Sequence, residues 1–253
     1  MIPPTVWMFW EDGFDGAPPM VKQCLNRWRE SSSGLNFQLL EGDAIEEFLP
    51  EYKNRDMTIQ AKSDVLRMRV ISRYGGIWAD ASTFPRVDIV KWLHSMKPTD
   101  FLAFSYSNSE FLLSSWFLAA PKGSYIMSEW AKKTDDYWTN DRRLEASPRQ
   151  RWRFKKRLLR QANFLDASYN EMHPYFWLHY LFGDLVMRDA KACEIWLETD
   201  TPSSEAAHFL QHELKKFGTE RSINLRKSWM ASPIHKLDWR MSIDEQFLET
   251  LGN

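Results

Sequence analysis

The chain has 253 residues, with 33 Lys and Arg against 34 Asp and Glu, so its formal net charge is −1. This balance gives no overall attraction for a polyanion and excludes a nucleic-acid-binding protein that relies on net charge. A hydrophobic fraction of 43% and a charged fraction of 26% exclude a disordered or collagen-like chain, and the length is sufficient to bury one large core.

The first part of the chain alternates strand and helix patterns. β-Branched and aromatic side chains dominate the first segment, which predicts a buried strand followed by a turn. The next helix opens at Pro18 and Pro19 and has a core-facing stripe in which Cys24 fills space. Asp43 and Glu46 have the spacing of a capping box. In chain order, the predicted elements are a strand at 5–10, a helix from 18, a strand at 36–40 and a short helix at 43–49.

The clearest helical pattern covers residues 58–74 and ends at Gly75 and Gly76, which predict a C-cap. A short apolar strand, Ile77 to Ala79, follows directly. Asp80 is therefore predicted to lie at the carboxyl end of a buried strand, which is where ligands bind in open α/β sheets. A carboxylate in that position can hold a hard divalent ion, and the ion can in turn hold a pyrophosphate.

Two further strand patterns, at 100–106 and 111–119, precede a predicted helix at 124–138, and the second half is mostly helical. No repeat or low-complexity linker interrupts the apolar pattern. We therefore expect one domain over 1–253, with an α/β part at 1–140 and a helical part at 141–253. A domain boundary near Asp141 is the alternative.

Asp64 and Arg67 are three residues apart on a predicted helix, so their side chains face the same way. Taken alone, such a pair predicts an exposed ion pair that stabilises the helix by about 0.2–0.5 kcal/mol. The proximity of Asp80 in the sequence favours a site instead.

Ordered blocks of residues carry a family resemblance over nearly the whole chain. They are Ile2-Pro3 with Val6-Trp7 to Trp10 and Gly13, Ser63 to Arg67, Tyr74 to Ser82, Ser115 to Leu118, Tyr175 to Trp177 with His179 and Phe182, and Ser232 to Leu237. In these blocks the chain resembles the capsular polysaccharide synthesis proteins, relatives of the DXD-motif sugar transferases with the GT-A fold. The resemblance implies a GT-A-like, Rossmann-type mixed sheet flanked by helices, with a mostly helical C-terminal part.

The resemblance also implies an activity. The implied activity is that of a glycosyltransferase that moves a sugar from a nucleoside diphosphate sugar to a glycan or glycolipid hydroxyl in capsular or surface polysaccharide synthesis. We expect the donor to be UDP-linked and the anomeric configuration of the sugar to be retained. Residues 1–140 would bind the donor and 141–253 the acceptor. One alternative is a non-catalytic nucleotide- or carbohydrate-binding protein on a degenerate transferase scaffold. Another is a metal-dependent phosphoryl transferase with Ser82 as its nucleophile, although no base is evident beside it.

Site residues follow from the resemblance position by position. Val6 and Trp7 would line the base pocket, and Asp64 and Arg67 would contact the ribose or phosphate side of the donor, with Gly76, Ser115 and Lys236 also on the donor side. Asp80, Ser82 and His235 would hold Mn²⁺ or Mg²⁺, and Asp80 would be the catalytic carboxylate. Ser82 departs from the pattern, because stricter relatives have a second Asp there. A serine hydroxyl is a weak metal ligand, which puts metal dependence in doubt.

Three residues are candidates for the sugar or acceptor side: Asn108, Trp116 and His179. Trp116 could contact the transferred sugar, because aromatic faces suit sugar C–H surfaces, but it could equally fill the core. His179 lies in a largely apolar stretch, 173–182, that predicts a buried helix and a core histidine. Asn108, with Glu110, lies in a loop whose polarity needs no functional explanation.

Residues 142–160 are strongly basic and contain nine Arg and Lys residues against one acid, Glu145. Aromatic and leucine side chains lie between the charges. A basic helix with apolar anchors can lie on an anionic membrane and would suit an enzyme with a lipid-linked acceptor. A solvated helix face with aromatic residues packed inward is an equal alternative.

The cysteines and the N-terminus predict a reducing compartment. Cys24 and Cys193 are too far apart in the sequence for a metal knuckle or a redox pair. Residues 1–4 lack the basic start and apolar core of a signal peptide. The longest mainly apolar run, Phe111 to Ala120, is about half as long as a membrane-spanning helix. We expect a cytoplasmic protein, in contact at most with the inner face of the membrane.

Overall fold

A computed structural model describes residues 1–97, 99–106, 111–144, 172–219, 222–241, 243 and 247. In this part of the chain a five-stranded mixed sheet is flanked by helices, and the part after residue 172 is mainly helical. This confirms the expected fold class, a mixed α/β sheet with a helical C-terminal part. The narrower GT-A assignment stays a prediction.

The strands of the described residues form one main sheet and two short pairs. They are β1 (Thr5–Phe9), β2 (Asn36–Leu40), β3 (Gly76–Ala79), β4 (Thr83–Pro85), β5 (Leu102–Ser105), β6 (Leu113–Ala120), β7 (Arg143–Leu144), β8 (Met172–His173) and β9 (Ile234–Lys236). The main sheet has the order β2-β1-β3-β6-β5. β1 is parallel to β2 and β3, whereas β6 is antiparallel to β3 and β5. β7 is parallel to β8.

Helices cover both faces of this sheet. They are α1 (Pro19–Ser31), α2 (Ala44–Phe48), α3 (Ile59–Tyr74), α4 (Ile89–Ser95), α5 (Tyr125–Tyr137), α6 (Trp177–Arg188), α7 (Ala190–Glu198), α8 (Ser204–Phe217) and α9 (Ser222–Met230), with a 3₁₀ turn at Pro50–Tyr52. α3 begins as its pattern predicts, because the Thr58 hydroxyl accepts a hydrogen bond from the Ala61 N–H. The Asp43 side chain makes no corresponding cap for α2, so the predicted capping box does not form.

Strand alternation divides the buried side chains between the two faces. Along β1, Val6 and Met8 pack into one apolar cluster, and Trp7 and Phe9 pack into the other. Every residue of β3 and β6 is buried, as expected for central strands covered on both faces.

The turn from α3 to β3 depends on two glycines. Gly75 has φ +70° and Gly76 has φ +99°, in the region that favours glycine. A Cβ atom on Gly76 would lie 2.6 Å from the Thr5 carbonyl oxygen, and one on Gly75 would lie 2.5 Å from the Lys122 nitrogen. This tight turn sets the start of β3 and therefore the position of Asp80 at its end.

A short antiparallel pair joins distant parts of the chain. β4 pairs with β9, so that Thr83 lies opposite Lys236 and Phe84 opposite His235. Each strand has only three residues, too few for a periodic pattern in the sequence. The pairing returns residues 234–236 to the segment that follows Asp80.

The stretch 173–182 is not one buried helix, which corrects the sequence prediction. α6 begins only at Trp177, and His173 belongs to β8. The intervening Tyr175 and Phe176 are 54% and 41% exposed.

Candidate active site

The sheet has a topological switch point where its strand order reverses. From β1, the chain continues to β2 on one side, and β3 lies on the other, with all three parallel. Trp7 pairs with Trp78, so the same register places Phe9 beside Asp80 and Trp10 just beyond it. The crevice at the carboxyl ends of such strands is the usual ligand site of open α/β sheets.

Asp80 is fixed at this edge through both its backbone and its carboxylate. Its N–H donates to the Trp116 carbonyl at 2.9 Å, and its own carbonyl accepts a hydrogen bond from the Thr83 hydroxyl at 2.7 Å. The carboxylate accepts hydrogen bonds from the Trp78 indole at 3.0 Å and from Arg67 at 3.2 Å. Burial opposes ionisation, but Arg67 and Lys236 outweigh it and lower the pKa of Asp80. The carboxylate is therefore anionic at neutral pH.

Arg67 on α3 is the centre of a buried polar network. Its guanidinium lies 3.2 Å from Asp64 and 3.2 Å from Asp80, and it donates to the Ser115 carbonyl and hydroxyl at 2.8 and 2.5 Å. The side chain is 7% exposed. The isolated interpretation of Asp64 and Arg67 as an exposed pair is therefore wrong.

Asp64 is the less readily ionised of the two carboxyl groups. Burial raises its pKa to about 7, with Arg67 opposing the shift and Asp80 adding to it. At neutral pH Asp64 can thus act either as a hydrogen-bond donor or as an acceptor.

Lys236 completes the charged group from the far end of the chain. Its ammonium donates to the Ser82 hydroxyl at 2.5 Å and lies 3.5 Å from the Asp80 carboxylate. We refer to Asp64, Arg67, Asp80 and Lys236 as the charged cluster. The local sequence could not predict that Lys236 lies beside Asp80, because the contact depends on the long-range β4–β9 pairing. The family resemblance assigned Lys236 to the donor side.

The structure does not bring His235 to this cluster, which corrects its assignment as a metal ligand. Adjacent side chains of a strand point to opposite faces, and Lys236 points toward Asp80. The His235 ring is fully buried, stacks on Trp229 at 5.0 Å and donates from Nε2 to the Trp229 carbonyl at 2.9 Å. Burial lowers its pKa to about 4.

The residues assigned to a divalent ion do not fit one. Asp80 and Ser82 both contact the Lys236 ammonium, and a single carboxylate with a neutral hydroxyl is a weak ligand set for Mn²⁺ or Mg²⁺. Among the residues that the structure describes, no group of three or more His, Cys, Asp or Glu side chains could hold a metal ion.

Three other predicted donor residues belong to the core or to the opposite end of the sheet. Val6 is fully buried, and the Trp7 indole donates to the Gly75 carbonyl at 3.0 Å. Gly76 begins β3, roughly 13 Å along the strand from Asp80 at about 3.3 Å per residue. The strand register explains this correction, since Trp10 rather than Trp7 follows the end of β1.

Sequence reasoning missed an aromatic pair at the crevice. Trp10 contacts Trp239 edge to face, with ring centroids 5.6 Å apart, and the Arg240 guanidinium lies 4.3 Å from the Trp239 ring. The signal was present in the sequence, because Trp10 is the last residue of the predicted first strand and a ligand site is expected at the carboxyl end of such a strand.

On the sugar side, Ser115 and Trp116 have different environments. Ser115 holds Arg67 in place through its carbonyl and its hydroxyl. Trp116 is buried and lies 4.4 Å from the Phe104 ring, in agreement with the core interpretation, although its indole N–H has no hydrogen-bond partner among the described residues. Asn108 and Glu110 lie outside the described residues.

His179 belongs to a group of rings beside the charged cluster. We call Phe111, Tyr175, Phe176, His179 and Tyr180 the aromatic wall. Phe111 is the shared contact, with centroid distances of 4.6 Å to Phe176, 5.4 Å to His179 and 5.3 Å to Tyr180. Burial, and then Arg67, lowers the pKa of His179 to about 3, so its ring is neutral at pH 7.

Tyr175 of the aromatic wall interacts electrostatically with the charged cluster and with Arg240. Partial burial raises the pKa of the half-exposed Tyr175 phenol, Asp64 and Asp80 raise it further, and Arg67 and Arg240 lower it. We refer to the charged cluster, the aromatic pair and the aromatic wall together as the cleft.

The basic segment lies mostly outside the described residues. Arg142, at its start, is buried; its Nε donates to the Tyr137 carbonyl at 2.8 Å and its guanidinium lies 4.0 Å from the Tyr137 ring. This arginine is therefore not available to a membrane surface. None of the described helices is long and apolar enough to cross a bilayer.

Comparison with known proteins gives a family and distant relatives. The chain is 27% identical over 158 residues to the O-glycosyltransferase braB of Annulohypoxylon truncatum and 28% identical over 157 residues to the glycosyltransferase afumC of Aspergillus fumigatus. Each match covers 53% of this chain, but only 37% and 40% of the relatives' own lengths. A solved structure, the PaToxG glycosyltransferase, overlaps 99% of this chain and 84% of its own, with 11% identity and a TM-score of 0.43.

The family match covers the part of the chain that contains three of the four residues of the charged cluster. Residues 2–146, more than half of the chain, match the family described as capsular polysaccharide synthesis protein. They include Trp10, Asp64, Arg67, Asp80 and Ser115. The chain belongs to the capsular polysaccharide synthesis protein family.

Proposed function

We propose that the chain is a glycosyltransferase that moves a sugar from a nucleoside diphosphate sugar, UDP-linked, to a glycan or glycolipid hydroxyl in capsular or surface polysaccharide synthesis. The observation that carries the proposal is the charged cluster at the crevice, where two cations and two carboxyl groups meet beside exposed aromatic rings. The curated relatives are described as glycosyltransferases, which supports the same class. Retention of anomeric configuration follows from the family resemblance.

The charged cluster suits a leaving diphosphate. Negative charge develops on the diphosphate as the sugar–phosphate bond breaks, and preorganised cations stabilise that charge best. Arg67 is preorganised by Asp64, Asp80 and Ser115, and Lys236 by Ser82 and Asp80. The chain's own guanidinium and ammonium groups therefore provide the positive charge in this proposal.

The aromatic pair at Trp10 and Trp239 suits the base of the nucleotide. It lies at the end of β1 beside the charged cluster, and indole faces stack on planar rings. Asp64 then takes the ribose side, where either of its protonation states can hydrogen-bond to a hydroxyl group.

The aromatic wall suits the acceptor. Tyr175 and Phe176 are exposed beside the carboxylates, and the C–H faces of sugar rings pack well against aromatic rings. We expect Phe176→Ala to raise the KM for the acceptor about tenfold while nucleotide affinity stays the same. The matched control is Phe209→Ala, another exposed aromatic residue, on α8. Equal effects of the two variants on acceptor KM would contradict this assignment.

We further propose that the basic segment at 142–160, apart from the buried Arg142, contacts an anionic membrane that carries the acceptor. Co-sedimentation with phosphatidylglycerol vesicles, and not with phosphatidylcholine vesicles, is the expected result. Equal partition to both vesicle types would contradict an electrostatic contact.

A non-catalytic nucleotide-binding protein is the second candidate, because the family resemblance implies a second acid at the position where this chain has Ser82. Thermal shift with UDP, GDP, CDP and ADP tests the donor site that both candidates share. A nucleotide at about a hundred times its Kd stabilises the folded state by roughly 2.7 kcal/mol. We expect one nucleotide to do so and Arg67→Met to remove the effect. Failure of all four nucleotides to bind would contradict both candidates.

A further inference from the structure

Lys236 lies between the two side chains that the resemblance assigns to a divalent ion. Asp80 and Ser82 are the first and third residues of the D-x-S element, and the Lys236 ammonium is 3.5 Å from the first and 2.5 Å from the second. An ammonium is a compact point charge with three N–H donors. One of them is donated to the Ser82 hydroxyl, and the ammonium forms an ion pair with the Asp80 carboxylate.

The charges of this group are consistent with that arrangement. Two carboxylates and a divalent cation sum to zero formal charge. One carboxylate, one hydroxyl and one ammonium also sum to zero. In this group of three side chains, Lys236 supplies the positive charge that balances Asp80.

Lys236 is held in this position by backbone contacts on both sides. It pairs with Thr83 in the β4–β9 ladder, and the Leu237 N–H donates to the Ser82 carbonyl at 2.9 Å. The side chain is 20% exposed, so it differs from a freely moving surface lysine. Preorganisation of this kind is what makes a cation effective at a site of developing charge.

We propose that the Lys236 ammonium takes the place of the divalent ion, bridging Asp80 and Ser82 and contacting the donor diphosphate, so that nucleotide binding requires no metal. The diphosphate as ligand rests on the proposed function. The occupancy of the Asp80–Ser82 position by an ammonium rests on the geometry alone.

Isothermal titration calorimetry tests the proposal without any variant. The full chain, treated with chelator, is titrated with UDP, GDP, CDP and ADP, first in EDTA and then with Mn²⁺. We expect the nucleotide that binds to show the same affinity, within about twofold, in both conditions. An affinity at least about tenfold higher with Mn²⁺ would overturn the proposal.

Lys236→Met keeps the length and apolar stem of the side chain while it removes the charge. We expect it to weaken nucleotide binding in EDTA by about tenfold to a hundredfold. The control, Lys91→Met, changes an exposed lysine on α4 and is expected to leave the affinity unchanged. Unchanged affinity in Lys236→Met, with the variant folded by circular dichroism, would overturn the proposal.

Mn²⁺ binding in the absence of nucleotide separates this proposal from the proposed function. Electron paramagnetic resonance of Mn²⁺ added to the unmodified chain is expected to show no site that depends on Asp80. A Mn²⁺ site that is lost in Asp80→Asn would overturn the role of Lys236 even if no nucleotide binds. Failure of every nucleotide to bind would instead contradict the proposed function.

Discussion

At the scale of single residues, Arg67 is the group on which the cleft depends most. Its guanidinium compensates two carboxyl groups that are themselves largely buried, and it also bonds to β6 through Ser115. Removal of one partner from a buried ion pair is far more destabilising than loss of a surface pair, because a charge is left uncompensated.

Arg67→Met is therefore expected to lower the free energy of unfolding by about 3–5 kcal/mol. Urea unfolding followed by circular dichroism measures the change. Arg73→Met is the matched control on the same helix, since Arg73 is exposed, and is expected to change stability by less than about 0.5 kcal/mol. A similarly small change in Arg67→Met would contradict the buried network.

Asp64 gives the pH dependence of stability a definite sign. Burial raises its pKa from the ordinary value of 3.8 to about 7, so the folded state binds the proton more tightly than the unfolded state. Stability contributed by this group is present below pH 3.8 and is lost as the pH rises toward 7. The contribution of Asp80 to the pH dependence has the opposite sign. Its pKa is lowered in the folded state, so its stabilising contribution is present above the pKa of the unfolded state and is lost as the pH falls.

Urea unfolding of the natural chain and of Asp64→Asn, at pH 5 and pH 7.5, isolates the Asp64 contribution. Asn cannot titrate, so only the natural chain loses the Asp64 contribution as the pH rises. We therefore expect the free energy of unfolding of the variant, relative to that of the natural chain, to be higher at pH 7.5 than at pH 5. A stability difference that is the same at both values would contradict a raised pKa.

At the scale of elements, the turn from α3 into β3 links local sequence to the site. The helical pattern and the glycine pair were sufficient to predict this turn, since both features are local. The predicted bounds of β2 agree with the structure, and those of α3 and β3 differ by one residue at one end. The predicted capping of α2 fails, because Asp43 has helical backbone angles and its side chain makes no cap.

Gly76→Ala tests the turn. The new Cβ atom would lie 2.6 Å from the Thr5 carbonyl oxygen, at a φ of +99° that Ala rarely adopts. We expect the variant to lose more than about 1 kcal/mol of stability. Gly183→Ala in α6 is the control, because nothing lies within 4 Å of its Cβ position, and it is expected to stabilise the chain by about 0.5–1 kcal/mol. Equal melting temperatures for the two variants would contradict the strained turn.

At the scale of the whole molecule, long-range pairing explains what the sequence could not predict. The β4–β9 pair joins Thr83 to Lys236 through strands of three residues each, which carry no periodic signal. The same pairing turns His235 into the core, so a motif position alone misassigned it. Tyr175 and Phe176 also needed the structure, because an aromatic run predicts burial and gives no sign of a cleft.

Some residues that the family resemblance assigned to the site lie together in the structure, and others lie apart from them. Asp64, Arg67, Asp80, Ser82, Ser115 and Lys236 form one connected set. Val6, Trp7 and Gly76 do not join it, since strand register and not motif order decides which residues reach the sheet edge. The catalytic and donor roles of the connected set stay predictions.

The proposed active site is tested most directly by an assay of donor turnover. The assay measures the release of nucleoside diphosphate from UDP-, GDP-, CDP- and ADP-sugars in the presence of a glycan acceptor, for the natural chain and for Asp80→Asn. A glycosyltransferase is expected to turn over one donor class, and loss of the carboxylate that orients Arg67 and Lys236 is expected to lower kcat by about a hundredfold or more. Nucleotide binding without turnover of any donor, or full activity in Asp80→Asn, would contradict the claim that this cleft is a transferase active site.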